Sequence, residues 1–78
     1  PLKIGKGLLS TNMSECNFKY ADFENADLRD VNFTGADLSH TNLNGADLRG
    51  AIFDNTKLFS VYFEDAQIDA ASLVKFIG

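Results

Sequence analysis

The sequence predicts an all-β solenoid that turns once every five residues, on three observations. From Thr11 the chain divides into thirteen consecutive blocks of five, covering 65 of its 78 residues. The third position of every block is large and apolar, and the first is small or β-branched. Glycine or asparagine recurs at the fifth position, as Asn25, Gly35, Gly45, Gly50 and Asn55.

The third positions are Met13, Phe18, Phe23, Leu28, Phe33, Leu38, Leu43, Leu48, Phe53, Leu58, Phe63, Ile68 and Leu73. The first positions run from Thr11, Cys16 and Ala21 to Ala66 and Ala71 in the same register. A five-residue period fits neither standard continuous element. On an α-helix of ~3.6 residues per turn, successive third positions would rotate by about 140° and smear around the cylinder. On one long strand, an odd period would send them to opposite faces. Within a block, however, the first and third residues lie on one side of an extended segment and the second on the other. The chain must therefore turn at each block, and residues that tolerate positive φ suit that corner. A solenoid follows, with small and large residues inside and polar ones outside.

The blocks ADLRD, ADLSH and ADLRG resemble the pentapeptide-repeat family, whose pattern is Ala, Asp or Asn, Leu, then two variable residues. The resemblance implies a right-handed, quadrilateral parallel β-helix with four blocks per coil, so that residues twenty apart stack. By itself the sequence supports that register weakly, because ADL also recurs at a spacing of ten. Four sides give about three coils, roughly 15 Å tall at ~4.8 Å per coil. Four core ladders follow: Met13, Phe33, Phe53 and Leu73; Phe18, Leu38 and Leu58; Phe23, Leu43 and Phe63; Leu28, Leu48 and Ile68. Open ends of such an array need caps. Residues 1–10 read as a lead-in or lid offering Ile4, Leu8 and Leu9, residues 11–75 as the array, and 76–78 as the start of a C-terminal cap or truncated tail. Leu73, Phe76 and Ile77 fall at helical spacing, and the abrupt ends point to a domain of a longer protein.

Composition narrows the function. With 45% hydrophobic and 23% charged residues the chain is ordinary globular material. One cysteine, Cys16, excludes an internal disulfide framework and fits a small buried hydrophobe at its first position. The longest apolar run falls far short of the ~20 residues of a membrane span. A net charge of -4 disfavours nucleic-acid phosphates and anionic membranes. His40, the single histidine, sits at a fifth position and reads as a solvated corner. No phosphate loop, metal motif or catalytic constellation is present, so the chain is expected to be non-enzymatic and without cofactor or metal. The sequons at Asn12 and Asn32 arise from the repeat itself.

Asp22, Asp27, Asp37 and Asp47 occupy second positions, where a carboxylate can bond the local backbone as Asx residues do. The alternative is an acidic ladder that mimics DNA, as some members of the family do in protecting bacterial type II topoisomerases from quinolones. Arg29 and Arg49 interrupt that ladder, and the array is short for such a rod. After eight blocks the Asn/Asp rule lapses, and the second position becomes Ile52, Lys57, Tyr62, Gln67 and Ser72. Phe59, at a fourth position, also points outward. Ile52, Lys57, Phe59 and Tyr62, with Tyr20 on a neighbouring face two coils below, form the candidate protein-interaction surface. A covering loop or flanking segment is the other account of them.

The expected function is a non-enzymatic, protein-interaction scaffold. Its alternatives are a DNA-mimicking protector of gyrase or a related topoisomerase, and a spacer in a secreted bacterial effector. The expected partner is a protein, with a homodimer through the C-terminal coil as one form of the contact. An unpaired cysteine and no visible signal peptide fit a cytoplasmic location.

Overall fold

The computed structural model describes residues 10–77. Apart from Ser10, the N-terminal lid expected over 1–10 lies outside the described residues. The backbone winds so that residues twenty apart pair in parallel, through eight bridges running from Asn12↔Asn32 to Asp47↔Gln67. Those bridges settle the register that the spacing of ADL leaves open. Four bridges per turn of the chain make four faces. The first face is built from residues 11–15, 31–35 and 51–55; the second from 16–20, 36–40 and 56–60; the third from 21–25, 41–45 and 61–65; the fourth from 26–30, 46–50 and 66–69.

Each block of the middle coil makes the same backbone bonds. Its second-position N–H donates to the first-position carbonyl one coil below, as Asp37 to Cys16 at 2.9 Å, and its third-position N–H donates upward, as Phe33 to the Ile52 carbonyl at 2.9 Å. The corner closes when the next first-position N–H donates back to the third-position carbonyl, as Ala36 to Phe33 at 2.9 Å. Every fifth position from Ser10 to Asp65 has φ between 54° and 77°. Only three of these twelve residues are glycine, so Tyr20, His40 and Asp30 adopt the left-handed region because the ladder bonds on both sides hold them there. At Gly50 the φ of 77° and the Asp30 carboxylate from the coil below, which lies where a Cβ would stand, both favour glycine.

Inside, Phe23, Leu28, Phe33, Leu38, Leu43 and Leu48 are fully buried. The Phe33 and Phe53 rings stack at 5.6 Å, and the buried Thr41 hydroxyl is satisfied by donating to the Leu38 carbonyl at 2.7 Å. Burial falls off at the ends: Phe18, Leu58, Phe63 and Ile68 are only partly buried. Cys16, expected inside, is exposed. It lies in the first coil, and in a stack each repeat is covered only by its neighbours.

The array stops earlier than the thirteen blocks imply. The chain leaves the coil at Asp69 and forms an α-helix, α1, Ala70–Ile77. The sequence boundary at 75/76 and the place of Leu73 in the core are both corrected by this helix. Leu73 is 37% exposed on α1, and Phe76 takes its role, packing edge-on against Phe53 at 5.0 Å and against Phe63 at 5.2 Å. The switch is made at one residue. By the repeat, the Gly50 N–H should donate to the Asp69 carbonyl, but it donates instead to Asp69 Oδ2 at 2.6 Å. The freed carbonyl accepts the Leu73 N–H at 3.0 Å, opening the helix. Lys75, in the last turn, pairs with Asp54 at 3.0 Å and ties α1 to the first face. Among the described residues no helix is long and apolar enough to cross a membrane.

Candidate functional site: an aromatic corner

In the first two coils, all eight second-position side chains turn back on their own backbone. The fourth-position N–H donates to the second-position Oδ1 in each block, at 2.9 to 3.3 Å, from Ser14→Asn12 to Arg49→Asp47. Asn32 Oδ1 also accepts the Thr34 hydroxyl at 2.6 Å. These carboxylates and carboxamides serve as local staples of the coil.

The four aspartates of the acidic ladder do not form one stripe. Asp22 lies on the third face, Asp37 on the second, and Asp27 and Asp47 share the fourth. The last two are neutralised on site: Arg29 grips Asp27 through Nε at 2.9 Å and Nη2 at 2.8 Å, and Arg49 grips Asp47 at 2.8 and 2.6 Å. Arg29 also reaches up to Asp47 Oδ2 at 3.8 Å. The Arg29 side-chain hydrogen bond, ahead of its backbone N–H, lowers the Asp27 pKa to about 2. Asp47 is lowered chiefly by Arg49, and Asp37 chiefly by the Ser39 backbone N–H.

The aromatic residues sort differently from the sequence reading. Ile52, 42% exposed, pairs with Asn32 on the first face, opposite Tyr62, so the two cannot share a patch. Tyr20 closes the first-coil block of the second face, in the corner column of His40 and Ser60 that borders the third face. Its ring stacks flat on the His40 imidazole, centroids 4.8 Å apart and planes within 7°. His40 is therefore half-buried in a stack rather than a free corner. Phe59 and Tyr62 flank that column one coil higher, 68% and 60% exposed, while Tyr20 is 62% exposed.

Their backbones are held firmly while their rings face water. The Phe59 carbonyl accepts the His40 N–H at 2.8 Å, and its own N–H donates to Ser39 Oγ at 3.3 Å. The Tyr62 carbonyl accepts the Leu43 N–H at 2.7 Å. Below Phe59 the small Ser39 leaves a groove walled by Lys19, Asp37, His40, Lys57 and Phe59, with Lys19 Nζ 3.9 Å from Asp37. Tyr20, His40, Phe59 and Tyr62 thus gather at one aromatic corner on a hydrogen-bonded backbone. Sequence reasoning missed His40 and Ser39 as its supports, although the twenty-residue column 20–40–60 carries the signal. Among the described residues no group of three His, Cys, Asp or Glu side chains could hold a metal ion.

The family model for pentapeptide repeats matches in eight copies, over residues 8–35 and 36–73. The chain belongs to the pentapeptide-repeat family. No curated protein matches it in sequence. Solved pentapeptide-repeat structures are similar to it. Rfr23 from the cyanobacterium Cyanothece 51142 is 28% identical with a TM-score of 0.69, over 78% of this chain and 46% of that one. A thylakoid-lumen protein of Arabidopsis thaliana is 24% identical with a TM-score of 0.61, over 86% and 57%. QnrB1, a plasmid-mediated fluoroquinolone resistance protein, is 20% identical with a TM-score of 0.60, over 88% and 43%. The last two likenesses concern the fold alone. The repeat chain spans about half the length of these structures. Membership of the family implies a right-handed quadrilateral β-helix, and the twenty-residue parallel bridges are in keeping with its four sides.

Proposed function

We propose that this pentapeptide-repeat chain is a non-enzymatic scaffold that binds a protein through the aromatic corner of Tyr20, His40, Phe59 and Tyr62. One observation carries the reading: large rings stand exposed on a backbone pinned by the ladder, Tyr62 where the coils below place Asn42 and Asp22, and Phe59 where they place Ser39 and Lys19. Such a surface loses little conformational freedom on binding, and rigid aromatic anchors contribute much of the energy of protein interfaces. The partner would be captured from lysate by the native chain and released by Phe59→Ser with Tyr62→Ser, with the circular dichroism of the β-coil unchanged. Identical retained proteins for both chains would overturn the proposal.

A second reading is an acidic mimic of DNA directed at a topoisomerase. The fold shared with QnrB1 speaks for it, and the ion pairs that neutralise Asp27 and Asp47 speak against it. It requires salt-sensitive binding to the topoisomerase that weakens when Asp22, Asp27, Asp37 and Asp47 are changed to Asn.

A further inference from the structure

The aromatic corner divides two faces of unlike charge. The third face, over 21–25, 41–45 and 61–65, carries Asp22, Glu24, Glu64 and Asp65 and no lysine or arginine. The second face carries Lys19 and Lys57 against a single aspartate, Asp37. Glu24, Glu64 and Asp65 enter no ion pair among the described residues. Arg29 and Arg49, which pair with Asp27 and Asp47 on the fourth face, have no counterpart on the third.

Beside Tyr62 the third face opens into a groove lined by Asn44, Val61, Tyr62, Phe63 and Glu64. Val61 and Phe63 point into the core and are only partly buried, so the groove reaches the rim of the last coil. That rim is unlike the coil beneath it. In the middle coil the Leu43 and Gly45 N–H groups donate upward to Tyr62 and Glu64, and the Thr41 carbonyl accepts the Tyr62 N–H. The equivalent groups of the third coil, the N–H of Phe63 and of Asp65 and the carbonyl of Val61, have no backbone partner among the described residues. A row of unpaired donors and acceptors at a sheet edge is a template for an added extended chain.

We propose that this rim binds an extended segment of a partner protein with Arg or Lys at alternate positions. The proposal rests on the scaffold reading and specifies the chemistry of the partner. In an added rung, alternate side chains point in and out. Inward ones would meet Val61 and the part of Phe63 that the Phe76 ring leaves open, and must be small and apolar. Outward ones would stand over the Tyr62 ring beside Glu64 and Asp65, where a cation gains both the ring face and the carboxylates. Glu24, two coils lower at about 10 Å, adds field rather than contact.

The test uses the whole chain and a fluorescein-labelled peptide of alternating Arg and Val, read by fluorescence anisotropy. The native chain should bind it, more weakly as salt rises. Glu64→Gln with Asp65→Asn should weaken binding roughly tenfold, while Glu15→Gln with Asp30→Asn, which removes the same charge from other corners, should not. N-methylation of alternate peptide amides, which spares every charge, should also weaken it. Equal effects of the two charge pairs, indifference to N-methylation, preference for a Glu-Val peptide, or no binding by the native chain would each overturn the proposal. So would a chain that dimerises through this rim and excludes the peptide. If the peptide fails while Phe59→Ser with Tyr62→Ser still releases a captured protein, the scaffold reading stands and this one falls.

Discussion

The second and third coils are built from the same five-residue blocks, yet their outer surfaces are held together in different ways. In the second coil, Asn32, Asp37, Asn42 and Asp47 each take the N–H of the residue two further on. In the third coil those positions are Ile52, Lys57, Tyr62 and Gln67, and the local staple is gone. Two of the orphaned N–H groups are met from the coil below: Phe59 donates to Ser39 Oγ at 3.3 Å and Glu64 to Asn44 Oδ1 at 2.8 Å. A backbone donor has to be satisfied, but the acceptor can come from its own block or from the block stacked beneath. Passing that duty downward frees the second positions of these two blocks for Lys57 and Tyr62. Tyr62 can stand at a second position because the second coil supplies the bond that its own block lacks.

The largest test of the difference is in the core. Phe33→Ala, in a fully enclosed ring position, should destabilise the fold by ~3–5 kcal/mol, while Leu58→Ala in the half-covered coil should cost clearly less in the same denaturant titration. Equal costs would mean that α1 seals the third coil as completely as a further coil would. Next comes the cap. Phe76→Ala removes the ring that covers Phe53 and Phe63 and should cost about 1–3 kcal/mol, whereas Lys75→Ala, which breaks only an exposed ion pair, should cost under about 1 kcal/mol.

The staples themselves should show as smaller steps. Asn42→Ala should lose about 1 kcal/mol, since the Asn44 N–H then has no local acceptor. Lys57→Asn, which restores the repeat in the third coil, should gain a few tenths to about 1 kcal/mol and free Ser39 from Phe59. A neutral or destabilising outcome would show that the downward bond is as good as the local one.

The finest test is by pH. Asp27 is held near a pKa of about 2 by Arg29. Its folded value lies below its unfolded one, so the stability it contributes is present above ~3.9 and is lost as pH falls toward 2. NMR titration of the Asp27 carboxyl should give that low midpoint, and Arg29→Gln should move it back toward the ordinary carboxylate range. A midpoint unchanged by that substitution would shift the cause to the backbone.

Much of the fold was legible in the residues because the period is odd and unbroken. Third positions from Phe23 to Leu48 are buried as their spacing requires, and the Asn and Asp of the second positions bond as their chemistry allows. The candidate site was legible only in parts. Phe59 and Tyr62 stood out as apolar residues at outward positions, but separating Ile52 from them required the faces, and the faces required the register. Cys16 and Leu73 were misplaced because a pattern states which way a side chain points and not whether anything lies beyond it. Residues at the ends of a stack obey the pattern without being covered.

The amino-acid sequence by itself determined that the chain must turn every five residues and which side chains of the middle coil go inside. Those are local matters of side-chain alternation and residue chemistry. Tertiary structure alone decided that coils stack at twenty residues, that Tyr20 meets His40, that the carboxylates of the third face lack the arginines of the fourth, and that Asp69 turns the chain into a helix. Each of these depends on what lies one coil away, a distance of twenty residues along the chain and about 5 Å in space.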